Sequence, residues 1–226
     1  EVEAFLEILP VWKRLGYPFD SLVPSYATAI GSSADRPASL AELVGIIMNG
    51  GVHYPIVKID KLQFAAGTPY ETLLGRKEFA GRRVLSPEIA AAVRNALVDV
   101  VERGTAQQIR GAFVLSDGTP VAVGGKTGTG DNRHNIYGQK GQLIGSRIIN
   151  RASVFVFFIG DRFFGTITAY VPGPEAAGYG FTSSLPVKIL KIMAPALKPM
   201  IEKTENGKTS ASKDQPGFRT SGQANA

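Results

Sequence analysis

The chain contains no cysteine in 226 residues. That excludes disulfides, thiolate metal sites and a cysteine nucleophile. It has only two histidines, His53 and His134, and no carboxylates clustered with them, so no metal site is expected; no cofactor is expected either. No run of residues reaches the roughly 18 apolar positions of a membrane-spanning helix, and no signal peptide is visible. Charge is sparse, 19% of residues, whereas hydrophobic residues make up 44%. That is enough apolar material for a core and excludes a wholly disordered chain. The sparse charge is lopsided, with 25 Lys and Arg against 19 Asp and Glu. The surplus suits an anionic substrate, an anionic membrane surface or nucleic acid, and selects none of them.

What is present reads as helices and strands in segregated runs. The opening "EVEAFLEILPVWKRLGYPFD" is broken by Pro10 and Pro18 and predicts helix ends and loop. In "RPASLAELVGIIMNGG", Ser39 and Glu42 have capping-box spacing. Leu40, Leu43, Val44, Ile47 and Met48 share one helical face, and Gly50 and Gly51 end it. "HYPIVKIDKLQF" alternates like a strand. "LSPEIAAAVRNALVDVVERGTA" is the clearest helix: Ser86 caps it, Pro87 and Glu88 suit its first turn and Gly104 ends it. Ile89, Val93, Ala96, Leu97 and Val100 form its expected buried face. Strand-like runs follow at 119–127, at "ASVFVFFIGD" and at "FFGTITAYV", the last two joined as a hairpin around Asp161 and Arg162. Val154 to Ile159 is apolar on both faces, as a central strand should be. A last amphipathic helix is expected at about 182–202. The fold class is therefore α/β (α+β), an antiparallel sheet flanked by helices. Residues 1–202 form the domain, and 203–226, polar and Gly/Ser-rich, form a disordered tail.

The segment "VAVGGKTGTG" at 121–130 concentrates a cation, two hydroxyls and four glycines. A phosphate-binding loop would need glycine where Pro120 stands and a helix starting at Lys126; "GTGDNRHNIYGQKGQ" has no apolar period. A plain strand with an incidental lysine is opposed by its glycines, which weaken a strand unless a ligand or another backbone comes close. The third reading is a substrate-binding strand. Lys126 supplies positive charge to a carboxylate and stabilises nearby anionic states. Thr127 and Thr129 offer hydroxyls to that carboxylate. Gly128 lets an extended peptide lie against the strand edge, and a backbone N–H near Thr129 can face a developing oxyanion.

K-T-G is one element of penicillin-binding proteins and serine β-lactamases, and its surroundings here extend the likeness. "SYATAIGSSADRPASLAELVGIIMNGG" resembles the stretch of bifunctional penicillin-binding proteins where "ALG-S" leads to "TPLELA", a helix and "NGG". Ala29–Gly31 with Ser32 match the first part, and Pro37 to Gly51 the second. "LSPEIAAAVRNALVDVVERGTA", then "GGKTGTG", the hairpin and the last helix follow in family order, so the resemblance covers about residues 20–200. Two family motifs are missing. No S-x-N occurs, and the one S-x-x-K, Ser210 to Lys213, lies in the polar tail. Where the family continues toward "DAWF", this chain has "NRASVFVFF" after a longer Gly-rich loop.

The resemblance implies a partial β-lactamase/transpeptidase-like domain, the C-terminal part of a serine-type D,D-transpeptidase from a bifunctional cell-wall synthase. Such an enzyme crosslinks peptidoglycan stem peptides through an acyl-serine intermediate and is acylated by β-lactams. This chain would supply Lys126 and Thr129 to catalysis and Lys126, Thr127, Gly128 and Thr129 to substrate binding. The nucleophile and base would lie upstream of Glu1, in the other half of the domain. The implied partners are D-Ala–D-Ala stem peptides, β-lactams and that upstream half, not nucleic acid. The parent would be anchored upstream in the cytoplasmic membrane, with this domain on its periplasmic or extracellular side and a glycosyltransferase domain further upstream. The chain alone is expected to be inactive. Two alternatives share these residues: a non-catalytic penicillin-binding sensor or scaffolding domain, and a D,D-carboxypeptidase or β-lactamase relative. Elsewhere, His53 is expected on a rim beside Tyr54, and His134 in a polar loop. Arg133, Lys140 and Arg147 around that loop are solvated or help attract an anionic peptide end.

Overall fold

The computed structural model describes residues 2–15, 22–26, 28, 36–59, 61–75 and 79–211. The first match to the family pattern, at 29–32, lies outside them.

Helix α1 (Val2–Arg14) runs through Pro10 rather than stopping there, and buries none of its residues. Helix α2 (Pro37–Met48) begins one turn before the expected cap. Arg36 is its N-cap and makes no side-chain cap bond, because Pro37 at the first position starts the helix with its fixed φ. Ser39 therefore sits inside the first turn. Val44, Gly45, Ile46 and Ile47 are its buried residues. The helix ends at two left-handed glycines, Gly50 (φ 61°) and Gly51 (φ 87°). Beyond them the expected strand is interrupted. Only β1 (Val52–His53) and β2 (Lys61–Phe64) are extended in ladders, with Pro55 between them. β2 pairs with β3 (Thr72–Gly75), and β1 pairs with β4 (Arg82–Arg83).

Helix α3 (Pro87–Glu102) matches its expected bounds. The Ile89 N–H donates to the Ser86 hydroxyl at 3.3 Å. Glu88's own N–H and the Ser86 hydroxyl hold its carboxyl below the usual range. Its buried stripe is rotated from the expected one. Ala90 and Val101 are buried and Val98 half-buried; of the expected face Leu97 and Val100 are half-buried against the core, whereas Ile89, Val93 and Ala96 are exposed. Arg94 takes a place on the inner stripe by lying over the Phe158 ring, 5.2 Å from its centroid, while pairing with Asp161 at 2.8 Å.

The main sheet has three antiparallel strands in the order β5 (Val123–Tyr137), β6 (Leu143–Ile159), β7 (Phe163–Pro172). The expectation of a polar loop after the lysine motif is corrected here. β5 continues to Tyr137 and returns through a tight turn, so His134 pairs with Arg147 on a ribbon. Backbone hydrogen bonding, not side-chain burial, carries this ribbon, which is why no apolar period marks it. β6 is the central strand. Its even residues Val156 and Phe158 pack with Val44 of α2 and Leu97 and Val98 of α3. Its odd residues Phe155, Phe157 and Ile159 join Val101, Ala106, Ile109 and Phe113. That second cluster is closed by Val187, Leu190, Ala194 and Ile201 of α4 (Ser184–Ala211). α4 extends past the expected end near 202, and residues 212–226 lie outside the described set. Two apolar layers on either face of one antiparallel sheet make the architecture α/β of the expected kind.

Candidate functional site

Period-two alternation divides the lysine motif between two faces of β5. Val123, Gly125, Thr127 and Thr129 face the α4 layer; Gly124, Lys126 and Gly128 face the α2–α3 layer, as their register against β6 requires. The hydrogen-bond phase is set at the strand's start. The Gly160 N–H donates to the Ala122 carbonyl at 2.8 Å. Even-numbered residues thus bond to β6, and the N–H and C=O groups of Gly125, Thr127 and Thr129 point off the free edge of the three-stranded sheet. This is the geometry a β-augmenting peptide uses.

Each side chain of the motif has a definite setting. Lys126 is exposed, and its Nζ donates to the outward carbonyl of Thr127 at 2.7 Å. Two of its three donors stay available. Thr127 is buried at 8% exposure, and its hydroxyl lies 2.5 Å from the Thr105 hydroxyl. Thr129 is exposed, and its hydroxyl oxygen accepts from the Ser183 N–H at 2.8 Å. Because Thr129 is the acceptor there, its own proton remains free to donate. Lys126 and Thr129 are therefore exposed on opposite faces of the edge strand, Gly128 between them is half-buried, and Thr127 turns its hydroxyl inward.

The glycines have separate causes. A Cβ on Gly124 would lie 2.5 Å from Phe158 Cζ and 3.0 Å from the Leu97 carbonyl carbon. One on Gly125 would meet the Val156 carbonyl oxygen and lie 2.6 Å from Phe155 Cε2. The close approach that demands these two glycines comes from the chain's own core. At Gly128 the obstruction within 4 Å is one Val154 methyl at 2.9 Å, and at Gly130 there is none.

The far end of the motif is braced by residues that motif reasoning missed. Arg151 pairs with Asp131, its partner across the strands, at 2.8 Å, both side chains about one-fifth exposed. It also donates to the Phe181 carbonyl from Nε at 2.9 Å and Nη2 at 2.7 Å, and lies over the Phe181 ring. This ties the segment before α4 to β6 and sets Ser183 against Thr129. Thr105 belongs to the "GTA" that ends α3, quoted in the sequence pattern with no role attached. The Arg151–Asp131 pair had no signal in the sequence, since it depends on register. The His53 ring nitrogen bonds Glu42 at 2.5 Å, joining β1 to α2. Among the described residues no group of His, Asp and Glu could hold a metal, and no helix is long and apolar enough to cross a membrane.

No protein-family model matches the chain, and no curated protein matches it in sequence. Solved structures do match in fold. Penicillin-binding protein 3 from Mycobacterium tuberculosis, complexed with aztreonam, aligns with a TM-score of 0.55 and 18% identity over 88% of this chain and 46% of its own. Penicillin-binding protein 1A from Haemophilus influenzae aligns at 0.55 and 21% identity, over 93% of this chain and 31% of its own. The D,D-transpeptidase domain of a peptidoglycan glycosyltransferase from Eggerthella lenta aligns at 0.51 and 18%, over 86% and 48%. At these identities the shared property is the fold, which is that of penicillin-binding transpeptidase domains. This chain spans less than half the length of each.

Proposed function

We propose that this chain is the substrate-binding half of a peptidoglycan D,D-transpeptidase. The observation that carries the reading is the edge of β5: an exposed ammonium, a free threonine proton and outward backbone groups, on a chain with a penicillin-binding fold. In this reading Lys126 attracts the terminal carboxylate of a D-Ala–D-Ala stem, and Thr129 donates its hydroxyl proton to it. Gly128 leaves room for the peptide, which pairs with the edge at Thr127 and Thr129. A serine from an upstream half attacks the carbonyl carbon of the penultimate D-Ala. The oxyanion so formed meets the outward N–H of Thr129. The C–N bond then breaks, the leaving amine takes a proton, and an amine of a second stem attacks the acyl-serine. β-Lactams enter as mimics of the dipeptide. Thr127 acts mainly through its backbone, because Thr105 holds its hydroxyl. The parent would hold this domain outside the cytoplasmic membrane by an upstream anchor.

The test uses a fluorescent penicillin. In the full-length parent, Lys126→Ala should slow acylation by about 10²-fold or more, the scale of losing a preorganised electrostatic group. Unchanged acylation refutes the role of Lys126. The chain by itself should give no labelled band on a denaturing gel, and a band at its mass refutes the assignment of the nucleophile upstream. A parent without S-x-x-K would instead be a binding module.

A further inference from the structure

The prolongation of β5 and β6 beyond the sheet has features that the transpeptidase reading does not use. The last row of three strands is Asn132–Asn150–Pro172. Past it only β5 and β6 pair, from Arg133↔Ile148 to Tyr137↔Leu143. Five residues of β5 and six of β6 project about 17 Å. Two register shifts, at Asn132/Arg133 and Ile136/Tyr137, interrupt its ladder, and such irregularities increase local twist.

The ribbon's charge has one sign. Residues 132–150 include Arg133, Lys140 and Arg147 and no Asp or Glu. All three cations are exposed, and none has a carboxylate partner among the described residues. The nearest acid in sequence, Asp131, is occupied by Arg151. The tip is apolar. Ile136 is 45% exposed, Tyr137 61%, Leu143 56% and Ile144 63%. These four flank the turn that carries Lys140.

We propose that this ribbon docks on an anionic lipid bilayer, with its aliphatic tip and Tyr137 in the headgroup–acyl boundary and Arg133, Lys140 and Arg147 among lipid phosphates. A soluble polyanion would engage the cations and leave four large apolar side chains in water. A bilayer boundary accepts both, and tyrosine favours that depth. Penetration stops at the boundary, because β5 and β6 each keep an unpaired edge that hydrocarbon would not tolerate. The ribbon is continuous with the lysine motif, so docking would hold Lys126 at most about 35 Å from the lipid surface, the extended length of 11 residues. The inference does not depend on the transpeptidase reading, and its test involves no acylation.

The whole chain is floated with phosphatidylcholine vesicles with and without phosphatidylglycerol, at low and high salt. Binding should require phosphatidylglycerol and weaken with salt. Arg133→Gln and Arg147→Gln should each lower the affinity about five-fold. Leu143→Ser with Ile144→Ser should remove what binding survives high salt, with the circular dichroism spectrum unchanged. As an independent reading, Leu143→Trp in a Trp12→Phe background should shift its emission to the blue with anionic vesicles. Failure to float with phosphatidylglycerol overturns the proposal. So does undiminished binding by the arginine or the serine variants. Equal affinity for soluble polyphosphate, indifferent to the tip substitutions, would identify a polyanion site instead. Self-association abolished by the tip substitutions would assign the ribbon to a contact between copies.

Discussion

Gly125→Ala should destabilise the chain although it adds a single methyl group. The new carbon would run into the Val156 carbonyl oxygen and lie 2.6 Å and 2.8 Å from two atoms of the Phe155 ring. Neither neighbour can move aside cheaply. Phe155 has no exposed surface, and the Val156 carbonyl is held in the ladder opposite Lys126. Overpacking a dense core costs about 1–3 kcal/mol, and the backbone clash places this substitution near 3 kcal/mol. For a chain of this length that lowers Tm by about 6–12 °C. Gly130→Ala is the internal control. It has nothing within 4 Å of the added carbon, and relief from glycine's backbone entropy should stabilise the strand by about 0.5 kcal/mol. Thermal and denaturant unfolding followed by circular dichroism measure both. If the two variants were equally stable, the packing explanation for the double glycine would be refuted, and a ligand's approach would have to account for Gly125.

Thr127→Val should cost about 0.5–1.5 kcal/mol, the net value of one hydrogen bond, because the exposed Thr105 can turn its hydroxyl to water; Thr105→Val added to it should cost little more, measurable as a double-mutant cycle. Arg151→Met should speed hydrogen exchange at the Ser183 amide more than at the Phe155 amide, since two of Arg151's bonds hold Phe181. Glu71 gives a pH dependence. The Gly67 N–H at 2.9 Å and the Gln63 side chain hold its carboxyl below the usual carboxylate range. Its ordering of the β2–β3 connection is therefore present above the ordinary glutamate range and lost as pH falls through the lowered value. An NMR titration should show the Gly67 amide shifting in that window, and Glu71→Gln should flatten it.

Much of this fold was legible where side chains carry the signal. Val154 to Ile159 announced the central strand because both its faces are apolar, and Ser86-Pro87-Glu88 announced α3 because capping is local. Gly50 and Gly51 announced a stop because only glycine accepts those dihedrals readily. Errors arose where tertiary context decides. The stripe on α3 rotated because Arg94 could lay its guanidinium on Phe158. The supposed loop after Gly130 became a ribbon because strand pairing satisfies its backbone without burying its side chains. At the candidate site, residue types were readable but their partners were not. Thr127's engagement with Thr105 and the Arg151–Asp131 brace span 22 and 20 residues and exist only once the strands are in register.

The central strand serves two separate apolar layers, and this divides its mutational behaviour by parity. Phe158 and Val156 answer to α2 and α3, whereas Phe155 and Phe157 answer to α4. Losses from truncating Phe155 and Phe158 together should nearly sum, because a pleated backbone separates the cavities they leave. Truncating Phe155 and Phe157, whose rings stack 5.8 Å apart, should cost less than the sum, since the second cavity merges with the first. One stretch of sequence thereby belongs to two cores that can drift independently.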